Sequence, residues 1–311
     1  MNILVLGAGA IGGYFGARLI EAGQNVTFLV RQARKDLLDL KGLQLTSPCG
    51  DFAAPVRALT SVASLDRYDV VILSCKAYDL DSAIEAVRPA VEAQTIVLPL
   101  LNGLAHMERL NEAFGAQRVL GGLAKIVIAQ SSDGSIQHLN DWRTITFGEQ
   151  SGGLSARVQA LQEAFPQGSV LANAVPDVQQ KMWQKLVHLA TVATVTCLMR
   201  ASVGEIARVP GGTELFLRVL DIHAEIATRE GHPPPDTFMT DYRRLFADQT
   251  APYVPSILRD IERHKPIEGE HIVGYMLNKA RKHGLDVSLH EIAILHLRAY
   301  EERRSAGRLS G

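Results

Sequence analysis

The chain has 311 residues, 47% apolar and 21% charged, with a formal net charge of −1, a make-up that suits a globular protein long enough for two domains. The balanced charge excludes the basic excess expected of a nucleic-acid or anionic-membrane partner. No apolar run approaches the ~20 residues needed to span a bilayer. Cys49, Cys75 and Cys197 show no C-x-x-C spacing and read as reduced, mostly structural thiols, with no metal site expected. A cleavable signal is not expected either, because its removal would destroy the first strand and the loop after it. The expected setting is therefore cytoplasmic.

In chain order, the apolar run Ile3-Leu4-Val5-Leu6 predicts a strand that breaks into Gly7-Ala8-Gly9-Ala10-Ile11-Gly12. This is G-x-G-x-x-G at a strand-to-helix junction, followed by a helical pattern from Gly13 to Ile20. Gly7 permits the tight turn, Gly9 has no side chain to hold a diphosphate off the backbone, and Gly12 lets helix and strand pack closely. The N–H groups of the helix start then face the phosphates. A Gly-rich turn without a ligand is the bland alternative.

A second strand is predicted over Asn25 to Val30, rich in β-branched and aromatic residues. It ends in Arg31, with Arg34 and Lys35 following and no carboxylate before Asp36. An acid at that strand end would accept hydrogen bonds from the ribose hydroxyls of NAD, whereas Arg31 favours a 2′-phosphate, so the cofactor predicted is NADPH. A solvated basic turn is the alternative.

Residues 43 to 58 read as a short hairpin around Ser47-Pro48-Cys49-Gly50-Asp51. The runs Asp69 to Ser74 and Thr95 to Leu100 read as buried strands, each trailed by a helix, which indicates βαβ units and a parallel sheet. Ligands collect at the carboxyl ends of such strands, where Lys76 and Asn102 stand. Asp133-Gly134 and Thr144 to Phe147 predict an antiparallel extension over 119 to 148. After about residue 175 the pattern is helical: Val178 to Arg200, roughly 212 to 230 and roughly 267 to 301, interrupted at Gly231-His232-Pro233-Pro234-Pro235. The first of these is apolar almost all round and predicts the buried centre of a second, all-helical domain. The chain is thus an α/β, doubly wound domain with an antiparallel extension over residues 1–175, followed by an all-α domain over 176–311.

Lys185 lies in that apolar helix. Burial would lower its pKa and make it a proton donor usable near neutrality; by periodicity alone a snorkelling lysine is the commoner fate. His188 and Thr196 fall roughly on the same face, and a core histidine is the alternative for His188.

Gly7 to Gly12, Arg31, Ser74-Cys75-Lys76-Ala77-Tyr78, Leu101-Asn102-Gly103, Trp183-Gln184-Lys185-Leu186, Ser256 to Asp260, and Glu268 followed by Gly274 occur in the order seen in the ketopantoate reductase (2-dehydropantoate 2-reductase) family. The resemblance covers nearly the whole chain. It implies a Rossmann-type N-terminal domain and NADPH-dependent reduction of a 2-oxo acid, in the family ketopantoate to pantoate in pantothenate biosynthesis. By the same resemblance Lys185 is the general acid and Glu268 its partner or a holder of a substrate hydroxyl. Lys76 and Asn102 contact cofactor and substrate, Ser256 binds the substrate carboxylate, and Arg31 reads the 2′-phosphate.

Where relatives carry asparagines this chain has Leu189, Ala193, Val203 and Tyr253, which implies a more apolar pocket and a different or bulkier acid; His188 and Tyr253 are candidate replacements. The alternatives are a family member acting on a less polar 2-oxo acid or ketone, and a non-catalytic NADP(H)-binding sensor or scaffold. The expected partners are a small-molecule substrate and at most a second copy of the chain in a homodimer, with no nucleic acid and no membrane.

Overall fold

The computed structural model describes residues 1–63 and 66–309. The chain divides into two compact units. One comprises Met1–Leu101 and His106–Gln179; the other comprises Asn102–Ala105 with the chain from Gln180 onward.

In the first unit, five strands form a fully parallel sheet: β1 (Asn2–Leu6), β2 (Asn25–Leu29), β5 (Arg57–Leu59), β6 (Val70–Leu73) and β7 (Ile96–Pro99), in the order β5-β2-β1-β6-β7. The order reverses between β1 and β6, the switch point at which open α/β sheets bind ligands. Ile3, Leu4, Val70, Val71 and Ile72 are fully buried, as continuous apolar runs in a two-sided parallel sheet must be. Helices α1 (Ala10–Glu21), α2 (Gln32–Lys41), α3 (Leu80–Val87) and α4 (Ala105–Phe114) follow β1, β2, β6 and β7 in chain order.

The hairpin expected over 43 to 58 is present as β3 (Leu43–Thr46) against β4 (Phe52–Ala54), antiparallel. Its last residues belong elsewhere, because β5 leaves the hairpin to pair with β2. The extension is also more than antiparallel. β8 (Leu120–Gln130) and β9 (Ile136–Glu149) form the expected long hairpin around Asp133-Gly134, but β9 also pairs in parallel with β3 and with β10 (Leu171–Ala174). Strand β10, four residues of alternating half-burial, is too short to announce itself. Between β9 and β10 lies α5 (Ala156–Glu163).

The second unit is helical. Its centre is α6 (Val178–Met199), in which Val187, Ala190, Val192, Ala193 and Val195 are fully buried. Around it lie α7 (Val203–Ala207), α8 (Gly212–Arg229), α9 (Asp236–Ala247) and α10 (Ser256–Glu262). The single helix expected over 267 to 301 is three pieces: a π-helical turn over Glu270–Gly274, α11 (Tyr275–Lys282) and α12 (Ser288–Ser305). The break follows Gly284 at φ +64°, a backbone conformation that favours glycine.

A buried polar chain ties α6 to α8 and α12. Thr191 Oγ1 donates to the Val187 carbonyl and lies 2.9 Å from His223 Nδ1, while His223 Nε2 lies 2.8 Å from His290 Nε2. Thr191, having donated its proton, must accept from His223 Nδ1–H, so His290 Nε2–H donates to His223 Nε2. Burial holds both imidazoles below their usual pKa; both are therefore neutral near pH 7. No helix among the described residues is long and apolar enough to cross a membrane.

Candidate active site

At the end of β1 the chain turns through Gly7, at φ +92°, and its N–H donates to the Leu29 carbonyl at 2.9 Å. A Cβ on Gly12 would lie 2.1 Å from the Gly7 carbonyl oxygen and 2.2 Å from Ser74 Oγ, so any side chain there forces the loop apart. Gly9 differs: the nearest atom to its Cβ would be Gln130 Oε1, 4.0 Å away. Space stands open in front of its backbone, as a closely approaching diphosphate requires. Gly9 is also the N-cap of α1 and offers no side-chain acceptor, so the N–H groups of Ala10, Ile11 and Gly12 remain available to an anion.

Gly7, Ala8 and Gly9 border a cleft of about 490 Å³, shared with Val30, Arg31, Arg34, Asp79 and Gln130. Arg31 is 82% exposed and its guanidinium lies 2.9 Å from the Asp79 carboxylate. Arg34 braces the loop, with Nε and Nη2 both donating to the Ala8 carbonyl at 3.0 and 2.8 Å. Sequence reasoning noted Arg34 only as one of three cations. Gln130 and Asp79 were not anticipated, since both reach the cleft from other strands and turns and carry no local signal. Lys76 is exposed in this unit, at the N-cap of a single 3₁₀ turn (Ala77–Asp79) after β6.

In the second unit Lys185 projects from α6, and its Nζ donates to Asn102 Oδ1 at 2.9 Å. The residue is half-buried, and its ammonium is the part withdrawn from water: burial lowers its pKa to about 8, while the negative charge of Glu268 acts in the opposite direction. Glu268 itself is 6% exposed. Two backbone features assemble this group. Gly103 adopts φ +87°, and a Cβ there would lie 2.8 Å from the His271 carbonyl oxygen, so the Asn102-Gly103 turn sits tightly on the π-helical turn. That turn starts just after Glu268, whose carbonyl accepts the Ile272 N–H at 3.2 Å. Isolated π turns recur at functional sites; this one begins two residues after Glu268, whose charge acts on Lys185.

Two comparisons of sequence bear on this arrangement. Residues 3–152 match the family described as ketopantoate reductase PanE/ApbA, and residues 177–301 match its C-terminal counterpart. An uncharacterized oxidoreductase, YkpB, of Bacillus subtilis is 33% identical over 98% of this chain and 100% of its own length. The chain belongs to the ketopantoate reductase family. A 2-dehydropantoate 2-reductase of Nostoc sp. is 29% identical over 98% of this chain and 97% of its own. The crystal structure of 2-dehydropantoate 2-reductase from Methylococcus capsulatus superposes with a TM-score of 0.88 at 27% identity, covering 98% of each chain. As a member of the ketopantoate reductase family, the protein is an oxidoreductase acting on CH–OH.

Against that family background the departures are concrete. Leu189 is 8% exposed, and Ala193 and Val203 are fully buried; three positions where the family resemblance implied amides are apolar and closed to water. Tyr253, the fourth, is half-buried, and its carbonyl accepts the Val203 N–H at 3.0 Å. His188 stacks between Tyr242 and Tyr253, with ring centroids 4.3 and 5.6 Å away. Thr196 donates to the Val192 carbonyl within its own helix at 2.6 Å, so its hydroxyl is spent locally. Ser256 is half-buried as the first residue of α10.

Proposed function

We propose that the protein reduces a 2-oxo acid to the 2-hydroxy acid with NADPH, using Lys185 as the proton donor. The observation that carries this reading is a lysine ammonium withdrawn from water, hydrogen-bonded to Asn102 and opposed by a buried carboxylate. A bound nicotinamide would supply the hydride for the keto carbon. Lys185 delivers Nζ–H to the carbonyl oxygen as negative charge develops there, which stabilises the transition state more than the ground state. With a pKa of about 8 the lysine is protonated at neutral pH yet gives up its proton readily, the balance a general acid needs. Asn102 orients the ammonium through its carbonyl oxygen, and Glu268 keeps it charged. Ser256 is assigned to the substrate carboxylate.

For the cofactor, the open backbone at Gly9 and the uncapped start of α1 suit a diphosphate, and Gly7 to Gly12 with Ala8, Ala10 and Ile11 would hold it. Arg31 is assigned to the 2′-phosphate, Lys76 and Asn102 to the reacting end. Asp79 faces the same cleft, but the two cations Arg31 and Arg34 outnumber it. The apolar character of Leu189, Ala193 and Val203 favours an acid less polar than ketopantoate. A cofactor sensor would need neither a lowered lysine pKa nor its two partners. The test is NADPH oxidation against a panel of 2-oxo acids that includes ketopantoate. Turnover of at least one acid is expected, with ketopantoate not the best; the absence of turnover with every acid would overturn the reading.

A further inference from the structure

The region one helical turn beyond Lys185 has a construction that the general reduction does not require. Residues three apart on α6 are neighbours on its surface, which places His188 beside Lys185. Its ring is nearly parallel to those of Tyr242 and Tyr253, at interplanar angles of 22° and 27°. The stack is held from both sides. Tyr242 continues an aromatic row along α9, with Phe238 at 4.5 Å and Phe246 at 6.1 Å, and Phe246 stacks on Phe216 at 4.7 Å and 1°. Tyr253 is fixed through its backbone, by the bond from Val203 and by that from the Gly204 N–H to the Ala251 carbonyl at 2.9 Å.

Simple core packing does not account for this stack. Its three members are half-buried, in contrast to Phe216 and Phe246, which are fully buried behind them. Neither Tyr242 nor Tyr253 makes a side-chain hydrogen bond among the described residues, and neither hydroxyl is among the fully buried unpartnered atoms, so both phenol groups are open to a ligand partner. The flank formed by Leu189, Ala193 and Val203 is closed and apolar, leaving no amide to hold a hydroxylated aliphatic side chain. What lies beside the proton donor is a rigid, half-buried aromatic stack whose two phenol groups make no side-chain hydrogen bond among the described residues.

We propose that His188, Tyr242 and Tyr253 form the subsite for the substrate's side chain, and that the preferred 2-oxo acids carry a planar aromatic group. This rests on the reductase reading above. Stacking geometry selects flat groups over branched ones of equal size, because only a flat group meets the ring faces at contact distance.

The experiment compares kcat/KM for phenylglyoxylate and phenylpyruvate with that for pyruvate and 3-methyl-2-oxobutanoate, using the full chain and NADPH. The aryl acids are expected to lead by roughly tenfold or more, the factor that about 1.4 kcal/mol of stacking supplies. Tyr253→Leu and His188→Leu should each cut that ratio by about fivefold or more, while Tyr253→Phe, which keeps the ring, holds it within about twofold. If Tyr253→Leu fails to fold, His188→Leu and Tyr253→Phe carry the same comparison. An aliphatic acid turned over as well as the aryl acids, or a preference that survives loss of a ring, would overturn the subsite and leave the reductase standing. A preference lost in Tyr253→Phe would also overturn it, by assigning selectivity to the hydroxyl. Absence of turnover with every acid would remove the reductase reading and the subsite together.

Discussion

The glycine cleft of the first unit and the lysine cluster of the second are built by opposite means. The cleft is made of backbone: its working parts are N–H groups and the absence of side chains at Gly7, Gly9 and Gly12, all within six residues of chain. The cluster is made of side chains from Asn102, Lys185 and Glu268, each on a different segment. A backbone-built site leaves a compact signature, since any Cβ at Gly12 would come 2.1 Å from the Gly7 carbonyl oxygen and only glycine lacks one. Side-chain recognition leaves none, because any polar residue is compatible with its own local structure. On the proposed reading, the cleft would be common to dinucleotide enzymes, whereas the cluster and the rings beside it would determine what reacts.

The contrast can be tested from each side. Replacing the proton donor, Lys185→Ala, should lower kcat for the best acid by about 10²–10⁴-fold, the range for a positioned general acid, while NADPH affinity from fluorescence titration stays within about twofold. Unchanged turnover would remove Lys185 from the chemistry.

On the cleft side, Gly12→Ala should weaken NADPH by roughly 10–100-fold, since overpacking of this kind costs about 1–3 kcal/mol. The measurement must also show that Lys185 still titrates. A loss of both would mean that the two regions are not independent. Arg31→Ala should weaken NADPH about tenfold, from loss of a charge-assisted bond of about 1.5 kcal/mol, and leave NADH nearly unchanged. Equal loss for both cofactors would contradict the 2′-phosphate role.

The smallest effect is one of position on the pH axis. Reduction needs the Lys185 ammonium, so kcat/KM should be flat below about pH 8 and fall above it. The reverse oxidation needs the free amine and should rise through the same pH. Because the Glu268 carboxylate favours the charged lysine, Glu268→Gln should move both limbs to lower pH. A limb that stays in place would show that Glu268 does not face the titrating group.

Much of the fold was legible because its periods are simple. The strands at Ile3, Val26, Val70 and Ile96 are continuous apolar runs, and α6 is apolar nearly all round. What was not legible follows from pairing over distance. Nothing local in Arg57–Leu59 assigns it to the parallel sheet and not to the hairpin it follows. Leu171–Ala174 is a strand only because β9 offers it an edge. The π-helical turn at Glu270–Gly274 interrupts a helical pattern without Pro, and its position depends on the carbonyl of His271 meeting Gly103. At the site, Lys185 in an apolar helix was visible, but a buried and a snorkelling lysine have the same neighbours in sequence.

Taken as a string of residues, the chain already specified a glycine-rich strand-to-helix loop, a buried parallel sheet, a helical second half and a basic cluster after β2. Each of these depends on the intrinsic conformational and burial preferences of neighbouring residues. The lowered pKa of Lys185, its bond to Asn102, the burial of Glu268 and the stacking of His188 between two tyrosines arise only on folding. Desolvation, Coulombic attraction and ring contact all depend on distance through space, and these partners are far apart along the chain.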